Sequence, residues 1–213
     1  MTAAASGWLA LAVVAALADW FAVYHRRREL ELVAKPLTMV ALVLATLAAD
    51  PGEPGARAWF VTAQVLSLVG DVALMLRTRP LFLAGLGSFL VAHVAYVVGL
   101  AGFGLDPLGL GVGLALVVVG LAAVGGPLLA GVRRTEMELV PPVTAYLVVI
   151  SAMVVTAVGT GEPLAIAGAA LFYASDALLG WNRFVRPRPR GDVPVMVTYH
   201  LAQILLFLAL VAG

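Results

Sequence analysis

Long apolar stretches, separated by short polar or Pro/Gly-rich pieces, run from one end of the chain to the other. Eight of them fall at roughly 7–24, 33–49, 59–76, 80–100, 107–125, 141–158, 163–182 and 194–212. Each is about 17–22 residues long, the length a helix needs to cross the hydrocarbon of a bilayer. The pattern predicts an all-α fold, a polytopic membrane bundle of eight transmembrane helices in one integral membrane domain, 1–213. Asp50-Pro51-Gly52-Glu53-Pro54-Gly55 and Arg186-Pro187-Arg188-Pro189-Arg190-Gly191 read as turns at the membrane surface. The connections are too short for a soluble domain, so any chemistry lies inside the bundle or at its rim.

Composition agrees. With 62% hydrophobic and 12% charged residues, the chain cannot present an ordinary soluble surface. It has no cysteine, which excludes disulfides and thiolate chemistry. The net charge of +1 says little, but its distribution is lopsided. Arg26, Arg27, Arg28, Lys35, Arg77, Arg79, Arg133, Arg134, Arg183, Arg186, Arg188 and Arg190 flank one set of links, and only Arg57 lies opposite. The positive-inside rule then places those links in the cytoplasm and both termini outside. The first stretch has no basic n-region and reads as a span, not a cleaved signal. Basic links also attract anionic membrane lipid, although topology alone explains them. Abundant Ala, Gly and Arg with a single Lys suggest a bacterial cell membrane. Nothing points to nucleic acid, and oligomeric state is not legible in the pattern.

The polar positions repeat. Glu31-Leu32-Val33-Ala34-Lys35-Pro36-Leu37-Thr38 resembles Glu138-Leu139-Val140-Pro141-Pro142-Val143-Thr144 after one deletion. Arg27, Thr38, Asp71 and His93 correspond to Arg133, Thr144, Asp176 and His200, at separations of 106, 106, 105 and 107 residues. The matches favour a four-plus-four duplication, with halves 7–100 and 107–212 in parallel orientation. Such repeats commonly place a site where the halves meet. The copy is worn: Lys35 faces Pro141, Tyr96 faces Gln203, and Asp19 has no acidic counterpart.

Ionisable residues inside the spans carry the functional signal, because a charge in hydrocarbon is costly. Helical rise puts Asp71, Asp176 and Asp19 roughly 9–11 Å inside the cytoplasmic boundary. Tyr146 and His200 reach a similar depth, Lys35 and Thr38 enter from the same rim, and His93 lies about 20 Å along span four. Thr38, Ser67, Ser88, Thr144 and Gln203 are each explained by a helix–helix hydrogen bond. Asp71 and Asp176 are not, since packing alone rarely needs a carboxyl there. Two carboxyls close together away from water can act as acid and base, the arrangement that cleaves acetals and glycosides.

Other chemistries fit less well. Only three histidines exist, and none has metal-ligand spacing; His93 and His200 differ in expected depth by about 10 Å. There is no Gly-x-Ser-x-Gly elbow for a serine nucleophile. Gly70-Asp71 matches part of an intramembrane aspartyl protease signature, but Leu68 breaks it. A proton-coupled transporter using the same Asp pair is the main alternative, and a non-enzymatic lipid-binding protein a third.

At this point the chain resembles a known family, the YhhN-like integral membrane proteins, whose vertebrate members include lysoplasmalogenases. The resemblance rests on Lys35-Pro36, Gly70-Asp71, His93-x-x-Tyr96, Tyr146, Gly168-Ala169-x-x-Phe172-x-x-Ser175-Asp176, Arg183-Phe184 and Tyr199-His200-x-x-Gln203. It covers nearly everything beyond span one. It implies hydrolysis of the vinyl ether bond of a lysoplasmalogen, giving a fatty aldehyde and a glycerophospho-headgroup, with no metal or organic cofactor. On that reading Asp71 and Asp176 are catalytic, and the lysophospholipid substrate enters sideways from the bilayer. Lys35 is the expected phosphate partner, helped by a rim arginine such as Arg77 or Arg183. Tyr146, His200, His93, Tyr96, Ser175 and Asp19 are supporting candidates. Headgroup and chain preference are not legible.

Overall fold

The structure is a computed structural model that describes residues 1–51, 53–76 and 78–212. Arg77, one of the expected rim arginines, lies outside the described residues. Among the described residues there are eight long apolar helices: α1 (Ala3–His25), α2 (Arg28–Ala48), α3 (Pro54–Met75), α4 (Arg79–Ala101), α5 (Pro107–Thr135), α6 (Met137–Thr160), α7 (Pro163–Val185) and α8 (Asp192–Ala212). Each is long and apolar enough to cross a membrane. The all-α expectation and the count of eight agree with the sequence, and the protein is an integral membrane protein.

The helix ends differ from the apolar stretches, for local reasons. α2 begins at Arg28, because Arg26 adopts a left-handed conformation (φ 57°) that closes α1 and turns the chain within two residues. α5 continues to Thr135 instead of ending near 125. Pro127 has no N–H to give its helix, and a wide π-helical turn over Leu121–Gly125 re-registers the hydrogen bonds around it. Beyond it Leu128, Gly131 and Val132 are buried against the end of α7. A Cβ on Gly131 would lie 2.5 Å from the Phe184 carbonyl oxygen, so only glycine allows that approach. α7 likewise extends through a π turn, Trp181–Val185, which carries Arg183 and Phe184 inside the helix.

Consecutive helices pair antiparallel, α1 with α2, α3 with α4, α5 with α6 and α7 with α8, and α4 packs on α6 to join the chain's halves. Alanines such as Ala12, Ala41, Ala45, Ala157 and Ala209 are fully buried at these seams, where small side chains let helices approach without a hydrophobic drive between them. Val14, Val33, Leu114, Val119 and Val148 face outward, as lipid-facing positions should. The aromatic centre of the bundle is Phe60, Tyr96, Phe172 and Phe207, all fully buried.

Candidate active site

Three helices build one half of the site. α2 carries Lys35, and its Nζ lies 3.0 Å from Oδ1 of Asp71 on α3. Tyr199 on α8 donates its hydroxyl to the other oxygen, Oδ2, at 2.7 Å. Both oxygens of Asp71 are therefore engaged, and its side chain is 2% exposed. A second trio faces it. Tyr146 on α6 donates to Oδ2 of Asp176 on α7 at 2.5 Å. His93 on α4 brings Nε2 to 3.6 Å from the same oxygen, its ring packed edge-on against Tyr146 and Phe172. Asp176 is 16% exposed, and that access distinguishes it from Asp71.

Two cavities meet at these carboxyls and a third adjoins both. A polar one is lined by Arg28, Lys35, Asp71, Ser175, Asp176 and Tyr199, among others. An apolar one is lined by Phe89, Leu128, Ile150 and Tyr173, with Asp176 and Tyr146 in its wall and Arg183 toward its rim. Asp176, Phe89, Leu74 and Leu179 border both. A third cavity at the rim is lined by Arg79, Glu136, Asn182 and Arg183, among others. It shares Phe82 and Arg183 with the apolar cavity, and Asp192 with the polar one. The apolar space, the polar space and the charged rim are thus contiguous, and one carboxyl stands between the first two.

Some expected residues are placed differently. Lys35 is 5% exposed and bound to Asp71, so it is not a free phosphate partner. A lysine whose stem must lie inside the bundle takes a carboxylate in reach over an anion outside it. His93 was expected about 10 Å from the carboxyl layer, yet it reaches Asp176. Because α7 runs on to Val185, Asp176 lies about 14 Å from its helix end, and side-chain reach closes the remaining gap. His200 does not join the carboxyls. Its Nδ1 accepts from Trp20 Nε1 at 3.1 Å and lies 4.0 Å from Asp19 Oδ2; His200 and Asp19 are fully buried and Trp20 is half-buried. Tyr96 donates to Gln203 in the aromatic centre, and Ser175 donates to the Val195 carbonyl at 3.0 Å while also lining the polar cavity. Ser88 and Gln203 bond across to a neighbouring helix as expected, whereas Thr38 and Thr144 bond back to the carbonyls of Ala34 and Val140 in their own helices, and Ser67 Oγ meets no partner among the described residues. Among the described residues, no group of three or more His, Asp or Glu is arranged to hold a metal ion.

A model of the YhhN family matches residues 30–210, from the start of α2 almost to the end of α8. The chain belongs to the YhhN family. This YhhN protein is similar to lysoplasmalogenase TMEM86B of Homo sapiens, 35% identical over 148 residues that cover 69% of this chain and 61% of that protein. The chain thus spans about three fifths of the human relative. It is also similar to lysoplasmalogenase TMEM86B of Sus scrofa, 35% identical over 175 residues, 82% of this chain and 73% of that one. The lysoplasmalogenase of Mycobacterium tuberculosis is 33% identical over 174 residues, 79% of this chain and 66% of that protein. No solved structure matches the chain. The matched family segment excludes α1, and with it Asp19 and Trp20.

Sequence reasoning passed over one member of the site. Tyr199 was legible only as the neighbour of His200. The two residues point about 100° apart on α8, and nothing in an all-apolar helix says which direction faces a carboxyl.

Proposed function

We propose that this YhhN protein hydrolyses the vinyl ether of a lysoplasmalogen-type lysophospholipid to a fatty aldehyde and a glycerophospho-headgroup. The observation that carries this reading is the place of Asp176 in a wall common to an apolar and a polar cavity. A single-chain lipid has its reactive bond at just such a boundary, between tail and headgroup, and water must reach that bond from the polar side.

Asp176 is the acid. Tyr146 occupies Oδ2, which leaves Oδ1 to carry a proton to the β-carbon of the vinyl ether. Protonation makes an oxocarbenium ion, with the positive charge shared between carbon and ether oxygen. Asp71, fixed as an anion by Lys35 and Tyr199, faces that charge from the polar cavity and stabilises it. Water in the same cavity adds to the cationic carbon and gives up a proton to a carboxylate, forming a hemiacetal. The hemiacetal collapses when its ether oxygen is protonated and its hydroxyl proton is returned to Asp176. The products are an alcohol and an aldehyde, and one water is consumed. No step draws on a metal or organic cofactor.

The same arrangement supports reading the chain as a duplication. Asp71 is met by Lys35 from the preceding helix and Tyr199 from the last helix of the other half. Asp176 is met by Tyr146 from its preceding helix and His93 from the last helix of the other half.

The test is mass spectrometry of a lysophospholipid panel incubated with the purified protein in detergent. Aldehyde should appear from vinyl ether lipids only, and disappear both in an Asp176→Asn protein that elutes and melts like the parent and in the Lys35→Met/Asp71→Asn double variant, which removes the buried pair together. Full turnover in both variants would eliminate the carboxyl mechanism. A chelator should leave turnover unchanged.

A further inference from the structure

With Lys35 committed to Asp71, the phosphate of the proposed substrate needs another partner. The rim cavity supplies one. Arg183 Nη2 lies 3.0 Å from Glu136 Oε1, and Arg79 Nε lies 3.9 Å from Glu136 Oε2, so two guanidiniums from different helices converge on one carboxylate. Arg183 is held in place by stacking, its guanidinium carbon 3.6 Å from the centre of the Phe82 ring and 5.2 Å from that of Phe184. Asn182 lines the same cavity, and both polar atoms of its side chain are buried without a hydrogen-bond partner. Those atoms are closed off by Gly191, whose missing Cβ would fall 2.5–2.8 Å from them, so Asn182 walls the cavity without opening its amide to it. Arg79 also bonds Glu138, but that carboxylate is 78% exposed and the pair is weak. Asp192 faces the cavity from the start of α8, so basic character is confined to the side formed by Arg79 and Arg183.

Glu136 has a distinctive position. It is the single residue between α5 and α6, with an extended, non-helical backbone (φ −148°, ψ 76°). Its carboxylate is held by the ion pairs to Arg183 and Arg79, and swinging it away from them would unwind neither helix.

We infer that Arg79 and Arg183 form a phosphate subsite for the lysophospholipid, and that Glu136 is an internal stand-in displaced when the lipid seats. The inference rests on the lysophospholipid reading above and assigns its headgroup. Guanidiniums bind carboxylate and phosphate with the same planar, two-pronged geometry, so one can replace the other. The spacing agrees. Arg183 lies seven residues from Asp176 along α7, roughly 10 Å. The β-carbon of a vinyl ether lies about 8 Å from the phosphorus in an extended chain. Phosphate at Arg183 therefore sets the reactive bond beside Asp176, with the tail running on into the apolar cavity.

The test measures binding, not turnover, so it stands apart from the hydrolase reading. The probes are a saturated 1-O-alkyl lysophospholipid, which has no vinyl ether to cleave, the matching 1-O-alkylglycerol without phosphate, and inorganic phosphate alone. Arg183→Gln should weaken the lysophospholipid about tenfold. Glu136→Gln should tighten it by about threefold or more, because the competing carboxylate is gone. Neither should change the affinity for alkylglycerol. The opposite signs matter: a substitution that only loosened the fold would not tighten binding. Unchanged or weakened lysophospholipid binding in Glu136→Gln would overturn the inference. So would inorganic phosphate binding as tightly as the lipid, which would make this a site for the free anion.

Discussion

Lys35, Asp71 and Tyr199 form a unit that tolerates no single deletion. Removing one partner of a buried ion pair strands the other charge, at a cost of roughly 3–5 kcal/mol. Lys35→Met should therefore lower the thermal midpoint in detergent sharply. The double variant Lys35→Met with Asp71→Asn should recover most of that loss while remaining inactive, and recovery of activity would show that Asp71 matters only for folding. Tyr146→Phe tests the other carboxyl. It removes the hydroxyl bonded to Asp176 and leaves the ring against His93, so turnover should fall about 10- to 100-fold with the midpoint little changed. The two aspartates were legible because a carboxyl inside an apolar run stands out whatever its surroundings. Their partners were legible only as a list. Which of Lys35, Tyr146, His93, His200 and Tyr199 touches which aspartate depends on how each helix is rotated. These spans are apolar all round, so periodicity does not encode that rotation.

At the scale of the helices, glycines decide how closely the walls of the site approach. A Cβ on Gly70, the residue before Asp71, would lie 2.6 Å from the ring of Phe89. Phe89 borders both the polar and the apolar cavity. Gly70→Ala should push that ring into the substrate space and raise KM more than it lowers the thermal midpoint. Gly131→Ala acts elsewhere. It drives a methyl into the Phe184 carbonyl, so the tail of α5 should lift from α7. We expect a lower midpoint and faster proteolysis between Arg133 and Glu138, and an unchanged cleavage pattern would refute that docking. The sequence showed that these helices exist but not where they stop. The tail of α5 is amphipathic, not apolar, and its continuity past Pro127 depends on a wide turn that no hydropathy pattern reveals.

For the molecule as a whole, the proposed orientation places Glu53 outside and Arg188 in the cytoplasm. The chain lacks cysteine, so single-cysteine variants need no background substitutions. In intact cells, a membrane-impermeant maleimide should label Glu53→Cys and spare Arg188→Cys, and the reverse pattern would invert the topology. The eight-helix architecture was written plainly in the apolar stretches, because bilayer thickness imposes one length on every span. The cavities were not. They arise from how helices from both ends of the chain lean against one another, which is a property of the packed assembly and of no single segment.

Asp176 belongs to two compartments at once, and on the proposed reaction this bears on what happens after cleavage. The aldehyde forms where hydrocarbon surrounds it, and the glycerophosphate forms where water does. Each fragment can depart into the phase it prefers without passing the other, and recombination would need both to return to the same wall together. Partition itself then keeps the reaction running forward. Accumulated aldehyde in a thin or crowded bilayer should inhibit turnover, while added glycerophosphate should not.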